Sequence, residues 1–150
     1  MKTEDKRKLG KKTRAQGKAF ELRVRKDLES KGWIVCKWQN NVEIACEQPH
    51  LISAKHTFNP VTKAMSAGNG FPDFVAYKVP TDNPGVDYVL FGDKRIYEVI
   101  GVESKMTGKL DKVEKDKCAW LLKKNIFSKI LIAQKDLKKI KYVEYQEDEK

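Results

Sequence analysis

The chain of 150 residues carries 31 Lys and Arg against 21 Asp and Glu, a net charge of +10, with 40% hydrophobic and 35% charged residues. That is enough chain for one domain with a real core and too little for two ordinary domains. No apolar run approaches the roughly 20 residues a membrane helix needs, and no apolar h-region follows the basic N-terminal stretch, so neither a span nor a signal peptide is expected.

Residues 1–16 lack apolar periodicity. Between Lys2 and Lys18 stand eight bases and two acids, and the segment reads as a flexible basic arm. A helix is expected from about Gly17 to Lys31, because Phe20, Val24 and Leu28 recur on one face and Gly32 is placed to stop it. Trp33–Trp38 reads as a buried strand. Residues 39–71 hold many turn formers and only a weak strand signal around Val42–Ala45, and a connection this long is usually functional. Asp73–Tyr77 is a second strand. A turn at Asp82–Gly85 leads to an expected hairpin of Asp87–Phe91 and Arg95–Lys105, closed near Gly92-Asp93. Residues 111–124 suit a helix with Asp111 near its start and Val113, Trp120 and Leu121 on one side. Lys129–Gln134 reads as a short buried strand and Ile140–Tyr145 as an edge strand. The expectation is an α/β sandwich with a mixed sheet, one domain over 17–145 and a charged tail at 146–150.

The positive surplus favours a polyanion partner, nucleic acid before anionic membrane. Three cysteines, Cys36, Cys46 and Cys118, are an odd number in a chain with no expected export signal, which points to a reducing cytoplasm rather than a disulfide framework. Cys36, Cys46, His50 and His56 could be recruited by zinc, but there is no paired C-x-x-C and the spacings are loose, so ordinary roles are expected for them.

The strand Tyr97–Lys105 is the most informative segment. A period of two sends Ile100, Val102 and Ser104 to one face and Gly101, Glu103 and Lys105 to the other. A carboxylate and an ammonium at the end of an apolar strand must pair or bind something to offset their desolvation. Asp73 opens a strand directly after Pro72, although Asp is depleted in strands. With about 100° of rotation per residue, Glu21 falls on the border of the inward face of the first helix; Arg25 is its ordinary partner. Three carboxylates and a lysine are what a hard divalent cation and an activated water require.

Pro72-Asp73, followed thirty residues later by Glu103-Ser104-Lys105, resembles the PD-(D/E)xK signature of restriction-endonuclease-like nucleases. Gly17-Lys18-Ala19-Phe20-Glu21, with Leu28 and Gly32-Trp33-Ile34-Val35, is similar to the opening helix and strand of archaeal Holliday junction resolvases. Ser66, shortly before Pro72-Asp73, matches a serine of those resolvases. The resemblance implies a restriction-endonuclease-like mixed sheet flanked by helices, Mg²⁺ (or Mn²⁺) as cofactor and a homodimer acting on DNA. It implies Glu21, Asp73 and Glu103 as metal ligands, Lys105 holding the attacking hydroxide, and Ser66 bonding a phosphate or a metal-bound water. Lys11, Lys12, Arg14, Lys18, Lys109 and Lys112 are the candidates for backbone phosphate contacts. Two other readings stay open: a restriction-like, nicking or repair nuclease of the same fold, and a non-catalytic nucleic-acid-binding module whose Glu103–Lys105 pair is structural.

Overall fold

The computed structural model describes residues 3–55, 57–59, 63–66, 70–78 and 97–147. Helix α1 spans Thr3–Ser30 and is followed by strand β1 at Ile34–Lys37. Two small hairpins come next: β2 (Asn40–Glu43) with β3 (His50–Ser53), and β4 (Thr57–Asn59) with β5 (Ala64–Ser66). Then follow β6 (Phe74–Lys78), β7 (Glu98–Ser104), α2 (Lys112–Lys123), β8 (Lys129–Asp136) and β9 (Lys139–Glu144). The main sheet has the order β1-β6-β7-β8-β9. Among the described residues only its β7–β8 pair is parallel, the crossover made by α2, so the sheet is mixed and the class is α/β.

Among the described residues, each face of the sheet is covered by one helix. Phe20, Val24 and Leu28 of α1 pack with Val35, Phe74, Ala76, Ile100 and Val102 on one face. Cys118 and Leu121 of α2 pack with Phe71, Phe127, Ile130 and Ile132 on the other. The alternation along β7 thus resolves as expected, Ile100 and Val102 lying fully buried in the α1 layer. Val113, however, is 53% exposed, and the buried positions of α2 are Cys118 and Leu121.

The first helix ends where Gly32 predicts. Gly32 has φ 81°, its N–H donates to the Glu29 carbonyl at 3.0 Å, and the Trp33 N–H donates to the Leu28 carbonyl at 3.1 Å, which is a Schellman closure. Its beginning differs from expectation. The basic segment 3–16 is helical and continuous with the packed part, so α1 starts well before the expected Gly17. It contains no proline and is rich in Lys and Arg, both good helix formers, so a helix nucleated by the packed turns propagates through it without an apolar stripe. β1 is an edge strand with only Val35 buried, not a buried strand. Within the long connection 39–71, the described residues include the two hairpins. The expected turn at Asp82–Gly85 and the first arm of the expected hairpin, Asp87–Phe91, lie outside the described residues, as does most of the tail.

Candidate active site

Antiparallel pairing sets Phe74 of β6 opposite Val102 of β7. One step further, this register brings Asp73 beside Glu103, although thirty residues separate them. The two are stitched reciprocally. The Asp73 N–H donates to Glu103 Oε2 at 3.1 Å, and Asp73 Oδ2 accepts from the Ser104 N–H at 2.9 Å. Both carboxylates are buried, at 8% and 6% exposure.

The backbone just before Asp73 is clamped from both sides. The Phe71 N–H donates to the Asn40 carbonyl at 2.9 Å and the Trp38 N–H to the Asp73 carbonyl at 3.1 Å. Gly70 lies so close to β1's exit that an added Cβ would stand 2.1 Å from the Trp38 carbonyl oxygen. On the β7 side, a Cβ on Gly101 would sit 2.9 Å from Pro72 Cγ and 3.1 Å from Phe127 Cδ2. These close approaches press Pro72 onto the sheet and fix where Asp73 emerges.

Two lysines flank the carboxylate pair. Lys37, the last residue of β1, holds Glu21 Oε2 at 2.8 Å and Asp73 Oδ1 at 3.5 Å. Lys105 lies 3.6 Å from Glu103 Oε1 and also pairs with Glu114 Oε1. Glu114 is the third residue of α2. Its other oxygen accepts from the Asp111 N–H at 3.0 Å, and Asp111 Oδ1 accepts from the Glu114 N–H at 2.9 Å. The cap of α2 therefore also holds the lysine.

The result is a row of charges, Glu21, Lys37, Asp73, Glu103, Lys105, Glu114, in which signs alternate except at its centre. Burial, and then the neighbouring Asp73 charge, push the Glu103 carboxyl up to about 8. Burial likewise raises Asp73, with Lys37 and the Ser104 N–H pulling the other way. Burial would lower both ammonium groups, but their carboxylate partners outweigh it and raise Lys37 and Lys105. Cys118, behind Glu103, is no nucleophile: burial lifts its thiol to about 12.

Of the sequence-derived site residues, Asp73, Glu103 and Lys105 lie together, and Glu21 joins them through Lys37. Arg25 pairs with Glu29 at 2.8 Å and leaves Glu21 to the site. Among the described residues no three His, Cys, Asp or Glu side chains form a ready-made metal cluster; Lys37 stands between Glu21 and Asp73. Ser66 closes β5 opposite Thr57, and its side chain lies outside the described residues. Cys46 Sγ lies 3.7 Å from His50 Nδ1, Cys36 is exposed and Cys118 buried, while His56 lies outside the described residues. Lys11, Lys12, Arg14, Lys18, Lys109 and Lys112 are all exposed.

Sequence reasoning missed Lys37 and Glu114. A lysine in Trp33–Trp38 is the odd residue of an apolar run, and Asp111-x-x-Glu114 is a legible capping box. The link from each to the site needs the fold. Comparison with protein-family profiles, with curated proteins and with solved structures gives no match.

Proposed function

We propose that this protein is a metal-dependent DNA endonuclease of the PD-(D/E)xK kind, with a four-way junction as the first substrate to test. The observation that carries the reading is the buried Asp73–Glu103 pair with Lys105 beside it. When all are ionised, four carboxylates and two ammonium groups leave the row two negative charges in excess, concentrated at the neighbouring Asp73 and Glu103. A hard divalent cation such as Mg²⁺ or Mn²⁺ would supply that charge and takes oxygen donors. Ser104 Oγ, buried with no hydrogen-bond partner, is a further polar atom close by. Asp73 and Glu103 would hold the ion, with Glu21 joining once Lys37 releases it.

When bound, such an ion neutralises phosphodiester charge and makes water a better nucleophile. The chain's own groups do the rest. Lys105, held by Glu103 and Glu114, donates hydrogen bonds to an attacking water and balances charge on the phosphate. Lys37 balances Asp73 and Glu21 when no metal is present. The exposed bases at 11–18 and at 109–112 bind backbone phosphates without reading bases. A homodimer would supply the two sites that paired cuts across a junction need, and a restriction-endonuclease-like arrangement of the mixed sheet accords with the strand order. The test is cleavage of a synthetic four-way junction, a matched duplex and a flap with and without Mg²⁺. Mg²⁺-dependent cuts concentrated at the junction are expected. Nicking of all substrates alike would favour a repair or nicking enzyme, and DNA binding without any cleavage would leave the non-catalytic module.

A further inference from the structure

We propose that the groove between α1 and the β8–β9 turn is a track for the phosphodiester backbone of DNA. The inference rests on the DNA partner in the proposed function and not on the cleavage step. The groove, about 440 Å³, is walled by Arg23, Lys26, Lys31, Lys138 and Lys139, with Asp27 the one acid among them. Asp27 is already matched: Lys31 Nζ lies 2.6 Å from its Oδ2, and the Tyr142 hydroxyl donates to the same oxygen at 2.8 Å. Four cations therefore remain for a ligand.

They stand on fixed elements. Arg23 donates to the Lys138 carbonyl at 3.1 Å, which ties the turn to the helix, and Lys31 lies over the Tyr142 ring at 4.7 Å. A guanidinium has five N–H donors, so Arg23 keeps most of its capacity. The position is informative too. β8 runs parallel to β7, so the turn after Asp136 lies beyond the same end of the sheet as Glu103 and Lys105. Glu21 reaches β1 from one side of α1, while Arg23 reaches the β8–β9 turn from the other. One strand of phosphates could thus run from this groove across the helix toward the carboxylates. A concave row of cations fits a ridge of phosphates better than a flat bilayer, and Leu137 is the lone strongly exposed apolar side chain at the turn.

The test compares Lys26→Glu/Lys139→Glu with Lys123→Glu/Lys124→Glu on α2, which carries the same change of charge. Binding of the full-length proteins to a labelled duplex is measured without divalent metal over a range of salt. The groove variant is expected to lose roughly tenfold or more in affinity, and its salt slope to fall by about 1.8, two phosphates at 0.9 each. The control should change far less. Lys26→Ala/Lys139→Ala repeats the measurement if the glutamates impair folding. Equal losses in both variants, or a groove variant that binds as wild type, would overturn the track. So would loss of binding to phosphatidylserine vesicles with DNA binding intact. Mg²⁺-dependent nicking by wild type together with unaltered binding by the groove variant removes the track alone. Groove-dependent binding without nicking removes the nuclease and leaves the track.

Discussion

A carboxylate buried against another carboxylate is stable only with a proton or a cation between them. For Glu103 the proton has a measurable signature. The unfolded chain releases it in the ordinary carboxylate range, whereas the native chain keeps it up to about 8. Between those values the native state binds the extra proton, so metal-free stability falls as pH rises through that window. Glu103→Gln has nearly the same shape and never ionises. In chelator it should be more stable than wild type at about pH 8.5, by on the order of 3 kcal/mol, with the difference fading toward about pH 4. Thermal melts at several pH values check this; identical pH profiles for the two proteins would show that Glu103 titrates normally.

Elements decide where such residues meet. The two-residue period of β7 makes the shared face of Glu103 and Lys105 legible from sequence, and Gly32 marks the end of α1. The neighbourhood of Asp73 and Glu103 is not legible from period alone, because it depends on the register between β6 and β7. Lys37 escapes for a similar reason: within Trp33–Trp38 the strand reads as buried, and only its place at the sheet edge lets an ammonium reach Glu21 and Asp73. The start of α1 is illegible because its first turns have helix-forming composition but no packed face. Gly101 is where an element-level constraint can be tested. Gly101→Ala pushes a methyl toward Pro72 and Phe127, and overpacking of this kind typically costs about 1–3 kcal/mol. Because Pro72 precedes Asp73, the variant should also cut more slowly than its residual folded fraction explains. Denaturant melts beside single-turnover cleavage separate the two effects; normal stability and normal cleavage would mean that the contact yields freely.

Over the whole molecule, charge and topology converge on one end of the sheet. β1, β7 and β8 all run toward it, delivering Lys37, Glu103, Lys105 and the β8–β9 turn, while α1 runs back across it with Glu21. A net charge of +10 would draw the proposed DNA to the surface, yet the carboxylates at this end would repel phosphate unless a cation intervenes. Among the described residues no helix is long and apolar enough to cross a membrane. The proposed nuclease would therefore join two properties that a simple basic binding module keeps apart: DNA affinity from the basic surface and metal dependence from the buried acids. Asp73→Asn separates them most directly, since it preserves size and removes the charge a hard cation needs. Four-way-junction cleavage in Mg²⁺ should drop by about a thousandfold or more, while junction binding in Ca²⁺ holds or tightens. Cleavage at the wild-type rate by Asp73→Asn would rule out the proposed metal site at Asp73 and Glu103.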